Sequence, residues 1–209
     1  MKKKYNIFYA DPPWNYDFKE PTASSGGNKH GSGYSAGLGV YYDTMTIEQI
    51  MNMPVKDITE KDAVCLMWVT VPLLPEGLEV LKAWGFKYKT MLTWHKKNSK
   101  GMGYWFRGYT EHLILGVKGN VKAFKSLKKN IYESNTHKHS AKPGYFRELY
   151  AEASSISFDE PKKLELFART REGMFGNYEY EGWDVFGNEV ENSICLPNME
   201  TDVWQGEGK

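Results

Sequence analysis

The stretch Tyr5-Asn6-Ile7-Phe8-Tyr9-Ala10-Asp11-Pro12-Pro13-Trp14 joins an apolar run to a carboxylate, two prolines and a tryptophan. The apolar run predicts a buried strand, and the polar residues that follow it would then lie at the edge of a sheet. Each proline fixes its own φ angle and keeps the preceding residue out of the helical region. The Asp11 carboxylate and the carbonyls of Asp11 and Pro12 should therefore be held rigidly as hydrogen-bond acceptors.

Such an acceptor-rich corner suits a substrate with two N–H donors, and the exocyclic amine of a nucleobase is one. The indole of Trp14 could then stack on that base, as in enzymes that extract a base from its strand. The alternative is a tight turn after a strand, with Trp14 packed into the core. Four residues leave both interpretations open, because short motifs have many false positives.

Composition favours one globular domain over residues 1–209. The chain has 209 residues and 41% hydrophobic content, enough for one complete core. Its two cysteines, Cys65 and Cys195, form neither a disulfide framework nor a metal-ligand pattern. The longest apolar run, Ala63 to Val69, is far shorter than the ~20 residues of a membrane helix. We therefore expect a cytoplasmic protein that does not contact a membrane.

The formal net charge of +1 conceals an uneven distribution. The segment from Lys82 to Arg107 has seven basic residues and no acidic one. From Lys118 to Lys142 there are seven lysines and a single acidic residue, whereas Glu172 to Gly208 carries nine carboxylates and no Lys or Arg. A basic middle and an acidic C-terminal tail predict a polyanion-binding face on a nearly neutral protein.

Apolar β-prone runs alternate with segments of helical periodicity, which predicts an α/β fold with parallel strands covered by helices. We predict further strands at Ala63–Thr70, Phe86–Trp94, Glu111–Val117, Lys163–Ala168 and Trp183–Glu189, and helices at Thr46–Met51, Pro72–Trp84 and Pro143–Tyr150. The lysine-rich segment before Asn130 fits a hairpin or a helix equally well. Arg169 and Asn188 follow two predicted strands, at the edge where open α/β sheets bind ligands.

Two irregular segments, at about 15–42 and 95–110, are predicted to be lid-like loops. The first contains many glycines, and it follows the proline corner directly. The second mixes cationic side chains with Tyr104, Trp105 and Arg107, which suits a nucleic-acid strand because charges bind phosphates and rings stack on bases. His137 and His139 lack a Cys or carboxylate cluster, so no metal site is predicted.

The order of several short motifs resembles the MT-A70-like family, the adenine methyltransferases that include the catalytic subunit of the eukaryotic mRNA methyltransferase and many bacterial and phage proteins. The resemblance covers most of the chain, from Tyr5 to about Glu189. Its motifs are Asp11-Pro12-Pro13-Trp14, Leu66-Met67-Trp68-Val69-Thr70, Gly101-Met102-Gly103-Tyr104-Trp105, Thr110-Glu111, Gly116-Val117-Lys118-Gly119, His139-Ser140-Ala141-Lys142-Pro143, Lys163-Leu164-Glu165-Leu166-Phe167-Ala168-Arg169 and Gly187-Asn188.

The resemblance implies a Rossmann-like methyltransferase fold with a mostly parallel central sheet, and S-adenosylmethionine as cofactor. It makes Asp11, Pro12, Pro13 and Trp14 catalytic, and it places Asp11 near the methionine amino group and the target amine. It further implies that Lys142 faces the cofactor's carboxylate end, that Glu111 lies near the target nucleoside, and that the adenosine meets Phe167, Arg169, Glu172, Asn188 and Glu189. Glu172 and Glu189 depart from the family, in which an amide is common at these positions.

By the same resemblance, the chain transfers a methyl group to the N6 amine of adenine, in DNA rather than RNA because a compact chain resembles the prokaryotic and phage members. Two alternatives are methylation of adenosine in RNA and a catalytically silent nucleic-acid-binding subunit. The intact Asp11-Pro12-Pro13-Trp14 motif favours an active enzyme. A homodimer is a candidate assembly, since relatives pair.

Overall fold

The computed structural model describes residues 3–15, 44–99, 101, 105–125, 127–136, 142–169 and 180–197. Within them, seven strands form one sheet: β1 Tyr5–Ala10, β2 Thr59–Val69, β3 Lys87–Lys96, β4 Thr110–Lys118, β5 Ile131–Ser134, β6 Lys163–Leu166 and β7 Asp184–Phe186. Three α-helices accompany it: α1 Ile47–Met51, α2 Leu74–Ala83 and α3 Gly144–Ser155. The mixed α/β architecture predicted from the sequence is therefore confirmed.

The strand order is β5-β3-β4-β2-β1-β6-β7. Strand β1 pairs in parallel with both β2 and β6, and β3 with β5 and β6 with β7 are also parallel pairs. Strand β4 runs antiparallel to both of its neighbours, β2 and β3. The sheet is thus mostly parallel, and the predicted β-α-β unit of β2, α2 and β3 is split by β4.

Burial on both faces explains why the central strands are continuously apolar. On one face, Phe8 and Ala10 of β1 belong to a core cluster that includes Ile50 of α1 and Leu81 of α2. On the other face, Ile7 and Tyr9 join a cluster that contains Phe146 and Tyr150 of α3. Successive side chains along a strand point to opposite faces, so each residue's position in β1 fixes the helix layer that it meets.

Local signals account for the helix ends. Thr46 accepts a hydrogen bond from Gln49 N at 3.1 Å, and Gln49 Oε1 accepts one from Thr46 N at 2.8 Å, which completes a capping box before α1. Gly85, two residues after the end of α2, terminates the helix. Its φ of +90° and the hydrogen bond from its N–H to Lys82 O are those of a Schellman motif. Pro143 is the N-cap of α3 rather than a residue of its first turn.

Two differences from the sequence-based expectations concern the region after β4. Within residues 121–130, those that the structure describes form neither a helix nor a hairpin. They lead into β5, a short edge strand that the sequence pattern did not predict because its four residues alternate between exposed and half-buried. The predicted lid at about 15–42 and the acidic tail beyond residue 197 lie almost wholly outside the described residues.

Candidate active site

The proline corner lies where β1 leaves the sheet. Asp11 N donates to Leu166 O at 3.4 Å, so the end of β1 stays paired with the end of β6. Pro12 O accepts from Trp14 N at 2.9 Å, and Pro13 O accepts from Met45 N at 2.8 Å. Both proline rings are buried. These bonds and the two fixed φ angles hold the corner rigid, as the sequence predicts.

Strand alternation brings three charged groups to one face at this edge. Asp11 lies two residues after Tyr9, and Glu111 lies two residues before Leu113 in β4, so each is on the same face of its strand as that apolar residue. Tyr9 and Leu113 both pack in the cluster under α3. Because β4 is antiparallel, its first residues lie at the edge where the parallel strands end. Lys142 lies two residues before α3. The fold therefore directs all three side chains to the same place.

Lys142 joins the two carboxylates. Its Nζ lies 3.2 Å from Asp11 Oδ1 and 3.3 Å from Glu111 Oε2. The Lys142 side chain is 12% exposed, and those of Asp11 and Glu111 are 22% and 18% exposed. Lys96 Nζ makes a second ion pair with Glu111 Oε1 at 3.0 Å. The result is a chain of alternating charges, Asp11–Lys142–Glu111–Lys96, which we call the charged corner.

The ion pairs in the charged corner keep Glu111 ionised. Burial alone would raise the pKa of Glu111, but Lys142 and Lys96 outweigh burial, and the pKa lies below its ordinary value. A lowered carboxyl pKa stabilises the fold above the pKa of the unfolded chain, and this contribution is lost as the pH falls through the folded pKa. Glu111 therefore contributes stability at neutral pH that acid removes.

We expect Glu111→Gln to lower the free energy of unfolding at pH 7, with a deficit that shrinks as the pH falls below the ordinary carboxyl pKa of about 4.3. The wild-type carboxylate is itself protonated as the pH falls through its lowered pKa in the folded protein, so the two proteins converge. Urea unfolding between pH 7 and 3 measures this difference, with Glu152→Gln on the exposed face of α3 as the control. A deficit that stays constant over the whole range would contradict the ion-pair account.

Lys96 of the charged corner and Trp68 beside it were not identified as site residues from the sequence. Lys96 was seen only as one charge of a basic loop. Trp68 lies beneath Lys142, whose Nζ is 5.3 Å from the centre of the indole ring, and Trp68 Nε1 donates to Tyr9 Oη at 2.7 Å. Two-residue alternation along each strand could have indicated both residues, since Trp68 and Lys96 lie on the same face as buried neighbours that pack under α3.

Trp14 is packed in the core. Its side chain is 4% exposed within the core, and its Nε1 donates to Trp68 O at 3.2 Å. Of the two interpretations of this tryptophan, its packing is that of a core residue, and its stacking on a base stays a prediction. An indole buried on apolar neighbours gains more from leaving water than an exposed one, and its single donor is satisfied here.

The second half of the predicted cofactor site lies at the ends of β6 and β7. Arg169 and Glu189 form an isolated parallel bridge just beyond these strands, and Asn188 is exposed beside it. Gly187 packs so closely on Ala168 that a Cβ would collide with its carbonyl oxygen and lie 2.8 Å from its nitrogen. This approach requires glycine before Asn188.

Phe167 has a φ of +63° and is 5% exposed, and its ring stacks on Trp84 with 6.3 Å between centroids. A positive φ is unusual for a bulky residue, and such strain is concentrated at functional sites. The side chain nevertheless belongs to the core, so any contact of Phe167 with a ligand would come from its backbone. Its predicted contact with the adenosine stays a prediction.

Tyr180 fixes the backbone that follows β6. Its hydroxyl donates to Arg169 O at 2.6 Å and accepts from Arg169 N at 3.2 Å. The Tyr180 ring lies 5.2 Å from the Arg147 guanidinium, which also pairs with Glu165 at 3.0 Å in the core. A buried ion pair thus supports the position of Arg169 through Tyr180.

The remaining predicted contacts are dispersed. Trp105 and Arg107 are exposed on the loop between β3 and β4. Tyr104, Glu172, His137 and His139 lie outside the described residues.

Among the residues described, no group of three or more His, Cys, Asp or Glu side chains could hold a metal ion. Every helix in the same part of the chain is too short or too polar to cross a bilayer.

Comparison with known proteins places this geometry in a family. The MT-A70 family model matches residues 5–189. The chain is 28% identical over 208 residues to the type II methyltransferase M.MunI of Mycoplasma sp, covering 95% of this chain and 83% of that protein.

Eukaryotic proteins are similar over the same region. The chain is 26% identical to the N(6)-adenosine-methyltransferase MT-A70-like of Arabidopsis thaliana and 25% identical to the human N(6)-adenosine-methyltransferase catalytic subunit METTL3. The matches cover 93% and 92% of this chain but only 25% and 29% of those longer proteins. With a family model spanning most of its length, the chain belongs to the MT-A70 family of adenine-N6 methyltransferases.

Proposed function

We propose that this protein transfers a methyl group from S-adenosylmethionine to the exocyclic N6 amine of adenine in DNA. The observation that carries the proposal is the charged corner at the end of a central strand, in which the Asp11 carboxylate pairs with Lys142 and Asp11 directly precedes Pro12. The match to M.MunI, which this chain covers more fully than the eukaryotic proteins, favours DNA over RNA.

The residues present suit the proposed cofactor. A carboxylate such as Asp11 can accept a hydrogen bond from the ammonium group of S-adenosylmethionine, and Glu189 can accept hydrogen bonds from its ribose hydroxyls. Asn188 adds an exposed amide at the same edge. Lys142 is the cation available for the cofactor's carboxylate end, although it already contacts Asp11 and Glu111. The cofactor supplies an electrophilic methyl group, and the protein must supply orientation.

The chain's own contribution is to hold the amine. The lone pair of the adenine amine is delocalised into the ring, which makes this nitrogen a weak nucleophile. Acceptors on both N–H bonds favour a pyramidal nitrogen and localise the lone pair. Pro12 O accepts from Trp14 N and, as a carbonyl oxygen, has a second lone pair; the Asp11 carboxylate also has acceptor capacity beyond Lys142. Catalysis is then positioning and electrostatics, without a strong base.

Methyl transfer from labelled S-adenosylmethionine tests the proposal, with unmethylated DNA and RNA of matched sequence as acceptors. Counts in DNA alone support the proposal as stated, and counts in RNA alone support the adenosine alternative. Binding of either polymer without any transfer would favour the silent subunit and overturn the enzyme. Size-exclusion chromatography with light scattering tests the proposed homodimer separately.

Tyr180→Phe is expected to weaken S-adenosylmethionine binding by about 5- to 30-fold, since one or two hydrogen bonds to the Arg169 backbone are each worth about 1 kcal/mol. The variant keeps the ring over Arg147, so kcat at saturating cofactor should change little. Calorimetric titration and the KM for S-adenosylmethionine measure the effect, with Tyr88→Phe on the exposed edge of β3 as control. An unchanged dissociation constant would refute the positioning role.

A further inference from the structure

Trp105 and Phe106 are two adjacent aromatic side chains that the fold leaves in solvent. They are 94% and 90% exposed. Burying an aromatic side chain of this size is worth about 1.5–3 kcal/mol, so leaving two adjacent rings in water calls for a ligand. They lie on the loop from β3 to β4, and Glu111 follows Phe106 by five residues, at most about 18 Å along the chain.

The base of this loop is fastened to the sheet. Lys96 N donates to Tyr109 O at 2.8 Å, and Lys97 N donates to Ser134 O at 3.0 Å. The Asn98 side chain donates to Thr136 O at 2.9 Å and accepts from Thr136 N at 2.6 Å. The two rings therefore project from a base anchored on both β4 and β5.

Gly101 packs against the base of this loop. Gly101 has a φ of +60°, and a Cβ there would lie 2.9 Å from the Tyr109 ring and 3.0 Å from Arg107 Cβ. Tyr109 and Arg107 thus pack against the glycine, whereas Trp105 and Phe106 stay outside. The two rings therefore face solvent beside a packed loop base.

The charge around the two rings favours a polyanion. Arg107 is exposed on the same loop, and so is Lys97, which pairs with Glu133 of β5 at 3.3 Å; no acidic residue occurs from Lys82 to Arg107. A second copy of this chain would have to bring its own acidic surface, whereas a nucleic acid brings phosphates for the cations and stacked bases for the rings.

We propose that Trp105 and Phe106 form a wedge that enters the base stack of duplex DNA beside the target adenine. This inference rests on the proposed function, because an amine held at Asp11 must first leave the duplex. Extrusion of a base costs a few kcal/mol of stacking and pairing, and apolar side chains inserted between base steps offset this cost. The wedge assigns double-stranded DNA as the substrate class.

The first experiment compares methyl transfer to the same unmethylated DNA in native and heat-denatured form. The double variant Trp105→Ala/Phe106→Ala should lose about 5- to 150-fold in kcat/KM on native DNA, which corresponds to about 1–3 kcal/mol of the duplex unstacking cost that the rings no longer offset. On denatured DNA it should lose no more than about threefold, because no stack has to open. An equal loss on both forms would overturn the wedge, as would full activity on native DNA.

The matched control is Ile156→Ala. Ile156 is 76% exposed just after α3, about 18 Å along the helix axis from the end that adjoins Lys142. Ile156→Ala should leave methyl transfer to native DNA and to denatured DNA each at its wild-type rate.

The second experiment does not depend on catalysis. Insertion of a ring unwinds the duplex, so a closed plasmid relaxed by a topoisomerase in the presence of the wild-type protein should change its linking number. The double variant should not change it at concentrations where filter binding shows that the plasmid is occupied. No shift with bound wild-type protein would overturn the wedge. A shift without methyl transfer would instead overturn the proposed function and leave the wedge standing.

Discussion

Asp11→Asn is expected to lower methyl transfer by about 100- to 1,000-fold, the cost of removing one preorganised acceptor or donor at a reacting group. Asparagine keeps the size of the side chain but replaces one acceptor oxygen by a donor, which would face the N–H bonds of the amine. The Asp11 backbone stays bonded to Leu166 O in the variant, since that bond does not involve the side chain. The loss should therefore appear in kcat rather than in the fold.

Initial rates with saturating DNA and S-adenosylmethionine measure this loss, and thermal unfolding checks that the variant is folded. Asp159→Asn is the matched control, because Asp159 is an exposed carboxylate in the turn before β6, far along the chain from the charged corner. If folded Asp11→Asn protein kept more than a tenth of the wild-type rate, Asp11 would not be a catalytic residue.

Lys142→Met is expected to lower the free energy of unfolding at pH 7 by about 1–3 kcal/mol, less than for a fully buried ion pair because both carboxylates are partly exposed. It leaves Asp11 and Glu111 without their shared cation, whereas Glu111 keeps its ion pair with Lys96. Activity should fall about tenfold or more, because the Asp11 carboxylate loses the contact that orients it.

The pH dependence gives this variant its own signature. Burial raises the pKa of Glu111, and Lys142 is the largest influence that lowers it again. Without Lys142 the pKa should rise, so the stability that depends on ionised Glu111 should be lost at a higher pH than in the wild type. Lys142→Arg should restore much of the effect, and Lys122→Met, an exposed lysine, is the control. If Lys142→Met lost stability over the same acidic pH range as the wild type, Lys142 would not be the cation that lowers the pKa of Glu111.

Much of the charged corner could be predicted from the sequence. The end of β1 at Asp11 follows from the apolar run and the prolines, and two-residue alternation places Asp11 in phase with Tyr9. The family resemblance supplied the approximate places of Glu111 and Lys142. The sequence could not supply the contact between them, because local patterns do not specify that β4 inserts antiparallel between β2 and β3. That insertion brings Glu111 to the edge where Asp11 lies.

Trp14 and Phe167 illustrate the opposite case. Both were predicted to face ligands, yet the structure buries both rings. Large aromatic residues in a strand-end motif can face either the site or the core, and the choice depends on packing partners from distant parts of the chain. Trp68 and Trp84 are those partners here. Sequence spacing alone contains no such information.

Nucleoside mass spectrometry of DNA incubated with the protein and S-adenosylmethionine tests the central claim most directly. The central claim is that the charged corner holds the amino group of adenine for methyl transfer. The account predicts N6-methyladenine in digests from the wild-type protein and a loss of at least about 100-fold with Asp11→Asn. Methylation of another base, or equal N6-methyladenine from both proteins, would contradict it.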